Sequence, residues 1–391
     1  MKKIINSCFL LILAMLFSFS GITVLAEEGD KEASEETYSI YMLAPARSMV
    51  ALCGETNEVI TGYNEEEKLP MASTTKIITA IVAIENCKDI DEIVKVDDSS
   101  IGIEGTSIYL KQGEEFTLRE LLLGLMLASG NDAAVAIACH VAGSEENFVK
   151  LANEFVANIG AKNTHLANAH GLDDKTHYTT AHDLALITSY ALKNDVFKEI
   201  ASTQRTTIQG KEGQTVRYLK HKNKLLFTRD DCIGVKTGFT DNAGRCLVNA
   251  CERDGFTVVT VVLNCGPMFE ECARVTDMVY ENYTLKEFVA PYNYVGTVEV
   301  DGGEKPSFDV VTIGGYSKVI KKEDEDKYKV SYELPKRIEA PVRVNQKIGK
   351  VVVTFDDESI YEQSLFTIQE IEKTDMAHYI DDIIEKWWIG R

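Results

Sequence analysis

Apolar positions along the chain change their period several times, and each change predicts an element. Two β-like runs, 48-SMVALC-53 and 58-EVITGY-63, flank Gly54 to Asn57 and predict a hairpin. In 70-PMASTTKIITA-80, three hydroxyl residues and one lysine precede the apolar run Ile77, Ile78, Ala80, Ile81, Val82, Ala83 and Ile84, which predicts a helix opening at Ser73. Leu118, Leu121, Leu122, Leu125 and Met126 recur at helical spacing within 117–143, a zone interrupted at Ser129-Gly130-Asn131. Thr117 and Glu120 predict a capping box at its start. Helical patterns also run from Glu145 to Ile159 and from Thr180 to Ala191. After Cys232 the pattern turns to strands, 245-RCLVNACE-252 and 256-FTVVTVVLN-264, with Asp254-Gly255 as the turn. A helix-like segment from Phe269 to Tyr283 closes this half.

Beyond about Pro291 only short strand-like runs with turns remain, at 294–303, 307–315, 327–334, 341–361 and 364–371. They predict a small all-β domain, a sandwich or barrel. The final stretch places Met376, Tyr379, Ile380, Ile383, Ile384 and Trp387 on one helical stripe, with Asp381, Asp382, Glu385 and Lys386 opposite. A terminal amphipathic helix with paired tryptophans fits an in-plane membrane anchor. It equally fits a helix docked on the β domain, and its acidic face would gain nothing from anionic lipids.

At the other end, Lys2 and Lys3, the apolar stretch from Phe9 to Phe19 and Val24-Leu25-Ala26 form a secretory signal, read as residues 1–26. An uncleaved anchor is the alternative, although the apolar run is short against a span of about 20 residues. The acidic segment 27–36 reads as a tether, 37–290 as a catalytic domain, 291–371 as the β domain and 372–391 as the anchor helix. An exported protein at the outer face of the membrane or in the wall is therefore expected. The chain has 391 residues and a formal net charge of −20, which argues against a nucleic-acid partner because a phosphate backbone would be repelled. Nine cysteines invite a disulfide reading in an exported chain, but their spacing is irregular. No disulfide framework is expected, and Cys139 in its apolar run reads as a buried free thiol. No C-x-x-C and no H-x-x-x-H occurs, so neither a metal nor another cofactor is expected.

The chemistry concentrates at Ser73 and Lys76. Residues i and i+3 share a helix face, so Ser73 presents its hydroxyl beside the Lys76 amine while Thr74 and Thr75 point elsewhere. A serine hydroxyl needs a base to become a nucleophile, and a buried lysine can be that base. Alone, Ser73 reads as an ordinary helix cap. Its company changes that reading. Ser129-Gly130-Asn131 is a polar break inside apolar helices, and Lys236-Thr237-Gly238 offers a cation, a hydroxyl and a side-chain-free strand position for a ligand. The ordered set S-x-x-K, S-G-N, K-T-G is far more specific than any one member. His170 either lines the cleft or is a satisfied structural histidine.

With 105-GTSIYLKQGEEFTL-118, 169-AHGLDD-174 and 240-TDNAGRCL-247, these motifs make the sequence resemble the serine D-Ala-D-Ala carboxypeptidases, the low-molecular-mass penicillin-binding proteins, over nearly the whole mature chain. The resemblance implies an α/β (α+β) catalytic domain of the penicillin-recognising serine transpeptidase and β-lactamase type, followed by the all-β domain and the terminal helix. It implies Ser73 as the acyl-forming nucleophile, Lys76 as its proton acceptor, Ser129 and Asn131 as the second catalytic element, and Lys236, Thr237 and Gly238 as substrate-binding residues. The backbone N–H groups of Ser73 and Phe239 would form the oxyanion hole; Phe239 stands where some relatives carry histidine. Peptidoglycan stem peptides and β-lactams are the implied partners. A class A β-lactamase shares the trio but needs a carboxylate for deacylation, and no E-x-x-L-N lies between Asn131 and Lys236. A D,D-endopeptidase would use the same residues, and a degenerate cleft would leave a module that only binds wall peptides.

Overall fold

The computed structural model describes residues 46–211 and 215–374, together with position 384. The segments read as signal and tether, and nearly all of the terminal amphipathic helix, lie outside the described residues. Two strands open the fold, β1 (Ala46–Cys53) and β2 (Val59–Tyr63), paired antiparallel as the expected hairpin. A 3-10 turn, Ala72–Thr75, leads into α1 (Lys76–Asn86). A small ribbon of β3 (Ile93–Lys95) and β4 (Glu115–Thr117) precedes α2 (Leu118–Leu123), a π-helical turn (Gly124–Ala128) and α3 (Asn131–Ala142). The expected capping box is present, with the Thr117 hydroxyl accepting from Glu120 N and the Glu120 carboxylate accepting from Thr117 N. Helices α4 (Glu145–Asn158), α5 (Ala181–Leu192) and α6 (Asp195–Ser202) follow. Then come a second ribbon, β5 (Arg205–Ile208) with β6 (Arg217–Lys220), the strands β7 (Cys232–Thr240), β8 (Gly244–Arg253) and β9 (Phe256–Cys265), and helix α7 (Met268–Asn282).

The main sheet runs β2-β1-β9-β8-β7, so the strand carrying Lys236 is an edge strand. Strand β9 reads as a nearly continuous apolar run because both faces of the sheet are covered. Val259, Val261 and Leu263 pack into the core shared with α1, α2, α3 and α5. Val258 and Val262 face the opposite core, built with α7. The turn at Asp254 (φ 50°) and Gly255 (φ 77°) has two left-handed residues, the geometry a two-residue hairpin with right-handed twist requires.

The C-terminal part is all strands apart from one 3-10 segment. Strand β10 (Tyr283–Val289) pairs with β13 (Tyr316–Lys321). A six-stranded sheet comprises β11 (Tyr294–Asp301), β12 (Ser307–Val311), β14 (Tyr328–Glu333), β15 (Arg337–Glu339), β16 (Lys347–Phe355) and β17 (Glu358–Thr367), in the order β14-β16-β17-β12-β11-β15. It has its own core around Val298, Phe308, Val310, Val351 and Leu365. Glu58 on the catalytic side ties to β13 through Lys318 Nζ (2.8 Å) and Val319 N (2.9 Å). All eight cysteines after Cys8 are free thiols. Cys139 is only half-buried, a correction to its expected burial: its sulfur lies 3.4 Å from Ser99 Oγ at the margin of α3, outside the apolar face. Among the described residues no helix is long and apolar enough to cross a membrane.

Candidate active site

The three hydroxyls before Lys76 have separate fates. Thr74 Oγ1 donates back to Met71 O (2.5 Å), and Thr75 Oγ1 donates to Ala72 O (2.7 Å) while meeting His177 Nε2 at 2.7 Å. Both threonines are buried. Only Ser73 turns its hydroxyl to Lys76, 3.0 Å from Nζ, and it lines an open cavity of about 460 Å³, within the range typical of small-ligand sites. Ala72, just before it, holds φ +48°, a backbone conformation that costs energy for a residue with a Cβ and recurs at functional turns.

Lys76 is wholly buried. Its Nζ lies 2.7 Å from Asn131 Oδ1 and 2.5 Å from His170 O. A neutral amine has two N–H bonds and one lone pair. In the neutral form, with both N–H bonds committed to those two oxygens, the lone pair would face Ser73 Oγ; as an ammonium the same nitrogen donates to all three. Burial, then the nearby Lys222 charge, brings the Lys76 pKa down to about 7 against the counter-pull of Asp132.

Long-range contacts build this geometry. Asp132 accepts from Ile108 N (3.0 Å) and Leu110 N (2.9 Å) and from Ser107 Oγ (2.6 Å), wrapping 105–110 around the start of α3. Asn131 Nδ2 donates to Glu104 O (2.6 Å), which fixes its Oδ1 toward Lys76. The segment 168–171 is held on α1 by Thr79 Oγ1 donating to Ala169 O (2.6 Å). A Cβ on Gly171 (φ +91°) would stand 2.0 Å from Ala72 O, so only glycine lets that loop approach the turn that carries Ser73. His170 contributes its carbonyl. Its ring is buried and kept neutral, with a pKa near 4 set by burial and the neighbouring Lys76. Of the two roles open to it, the structural one fits.

Ser129 sits in the left-handed region (φ 66°), where the π-helical turn ends. Its Oγ lies 3.0 Å from Lys236 Nζ, which also donates to Thr237 O (2.9 Å). Burial and the repulsion of Lys76 and Lys222 push the Lys236 pKa well below its ordinary value. Gly238 lets β7 lie against the entry turn: a Cβ there would meet Met71 O at 3.0 Å and Ser73 N at 3.1 Å. Thr237 and Phe239 line the cavity, and Phe239 is largely exposed.

The structure thus brings Ser73, Lys76, Ser129, Asn131, Lys236, Thr237, Gly238 and Phe239 to one cleft. Sequence reasoning missed the His170 carbonyl and the cavity-lining Lys222 and Arg245. The cluster 220-KHKNK-224 carried a signal for Lys222, because lysines on alternate positions flank Asn223, whose buried side chain donates to Gly234 O (2.7 Å) and anchors β7.

Residues 35–266 match the family model described as D-alanyl-D-alanine carboxypeptidase, and residues 283–373 match that of the penicillin-binding protein 5 C-terminal domain. The D-alanyl-D-alanine carboxypeptidase DacF of Bacillus subtilis is 28% identical, over 99% of each chain. DacB2 of Mycobacterium tuberculosis is 32% identical over 56% of this chain and 75% of its own. Among solved structures, penicillin-binding protein 5 from Haemophilus influenzae superposes with a TM-score of 0.71 at 25% identity, covering 88% of this chain and 100% of that one.

Proposed function

The chain belongs to the D-alanyl-D-alanine carboxypeptidase family, and from that premise we propose that it removes the terminal D-alanine of peptidoglycan stem peptides through an acyl-enzyme on Ser73. The observation that carries this reading is the buried Lys76 Nζ, placed 3.0 Å from Ser73 Oγ and held there by Asn131 Oδ1 and His170 O. Ser73 Oγ attacks the carbonyl carbon of the penultimate D-alanine and passes its proton to Lys76 Nζ. The developing oxyanion is met by the backbone N–H groups of Ser73 and Phe239. As the C–N bond breaks, the leaving D-alanine nitrogen takes a proton through Ser129 or from Lys76. Water then hydrolyses the ester, with Lys76 again as the base, and free Ser73 returns.

Lys236 and the Thr237 hydroxyl receive the terminal carboxylate at the Ser129 end of the cleft, with Lys222 beside them. Asn131 orients Lys76 and meets the substrate amide, and Gly238 keeps the strand edge open to the peptide backbone. A β-lactam carries the same carbonyl and carboxylate. It acylates Ser73 but leaves its ring nitrogen tethered, so deacylation is slow. No step calls on a metal. Export through 1–26, tethering by 27–36, a catalytic domain at 37–290, a β domain at 291–371 and surface attachment through 372–391 complete the reading; Trp387-Trp388 supports the attachment.

The test is D-alanine release from a synthetic stem pentapeptide, together with mass spectrometry of the penicillin adduct. Wild type releases D-alanine and gains one penicillin on the peptide containing Ser73, and Ser73→Ala does neither while keeping its melting temperature. Rapid nitrocefin turnover, or D-alanine release by Ser73→Ala, would refute the reading.

A further inference from the structure

The cleft carries more positive charge than one terminal carboxylate needs. Lys222, Lys224 and Arg245 all line it and no acidic side chain does, in a chain whose formal net charge is −20. Lys222 Nζ reaches Thr106 Oγ1 at 3.4 Å, and the Lys224 ammonium lies 5.3 Å from the Phe269 ring centroid. Arg245 has no carboxylate partner among the described residues. Every other described arginine sits in an ion pair or, at Arg205, over the Phe227 ring. An unpaired guanidinium in so acidic a chain is a vacancy for an anion from outside.

Register says which part of a substrate reaches it. Arg245 on β8 pairs directly with Phe239 on β7, two residues beyond Thr237, so these side chains share one face of the sheet edge. A strand rises about 3.3 Å per residue, so the Arg245 row lies roughly 7 Å past the Thr237 row. An extended peptide with its terminal carboxylate at Thr237 and its acylated residue at Gly238 and Ser73 brings the preceding residue to Phe239 and Arg245. There Phe239, Met268 and Phe269 supply apolar surface, and Arg245 and Lys224 stand beside it with their charges. We infer that this shelf selects stem peptides whose third residue has a long methylene side chain ending in a free carboxylate, as in an unamidated diamino diacid. This rests on the carboxypeptidase reading and adds to it the choice of substrate.

Two synthetic pentapeptides ending in D-Ala-D-Ala, differing only in a carboxylate or a carboxamide at the end of the third side chain, test it. Wild type is expected to favour the carboxylate form in kcat/KM by about tenfold or somewhat more at low salt, the lower end of the worth of one charge-assisted hydrogen-bonded pair. High salt should shrink the preference. Arg245→Gln should bring the ratio toward one and Lys224→Gln should lower it in part, with penicillin labelling of Ser73 reporting that the site is intact. Equal use of both peptides by wild type, or an undiminished preference in Arg245→Gln, overturns the inference. Release from neither peptide removes the carboxypeptidase reading itself, and the selectivity with it.

Discussion

Acylation of Ser73 should rise with pH through an inflection near 7, because Lys76 must be neutral to accept the serine proton. An ordinary lysine titrates at 10.5, and here burial brings the value to about 7. At about 1.4 kcal/mol per pK unit, that is roughly 5 kcal/mol of bias against the ammonium. At pH 7 about half of the Lys76 amines are free base, against about one in 3,000 for an exposed lysine. The assay is the second-order rate of penicillin acylation from pH 5.5 to 9, followed by the mass of the adduct. Lys222→Gln removes one of the charges that depress Lys76 and should move the inflection to higher pH. Lys76→Arg, which cannot deprotonate in this range, should lose about 10² to 10⁴ in rate, the usual worth of a general base. Thr74→Ala, whose hydroxyl serves only Met71 O, should acylate nearly as wild type. Linkage gives an independent readout. Between about 7 and 10.5 the unfolded chain holds a proton on Lys76 that the folded chain lacks, so this group's contribution to stability rises with pH across that window. The unfolding free energy of wild type relative to Lys76→Met should therefore shift in the wild type's favour between pH 7 and pH 10. A flat acylation profile from pH 6 to 9, or equal loss of acylation in Lys76→Arg and Thr74→Ala, would refute the base assignment.

Other expectations follow from single contacts. Gly171→Ala places a Cβ against Ala72 O, so penicillin acylation should fall by at least tenfold while urea denaturation still shows a cooperative fold. Arg217, nearly buried, donates to Ile108 O (2.7 Å) and Tyr109 O (2.8 Å) and pairs with Glu114 at 2.6 Å. Arg217→Met should cost about 3 kcal/mol in urea unfolding, because it leaves the nearly buried Glu114 carboxylate without its charge partner, held only by hydrogen bonds such as that from Lys111 N (2.9 Å). Its loop, 105–110, should also become the first site of proteolysis.

Local pattern settled a good deal of this protein. The spacing of Ser73 and Lys76, the capping box at Thr117, the hairpin at Asp254-Gly255 and the all-strand character after about Pro291 are each decided within a few residues, where side-chain period and turn stereochemistry act. The helix α6 and the β5–β6 ribbon escaped it, since Asp195–Ser202 spans only two turns and Arg205–Ile208 only four residues. The chemistry of the site was decided elsewhere. Lys76 meets Asn131 and His170 across 55 and 94 residues of chain, and Lys236 meets Ser129 across 107. A sequence can name a lysine as a base. Only the closing of those distances removes water from its ammonium and aims its lone pair at Ser73, because desolvation and charge repulsion depend on what surrounds a group in space. The same holds for Arg245, unremarkable in 240-TDNAGRCL-247, which becomes an unpaired cation lining the Ser73 cavity only when β8 lies beside β7.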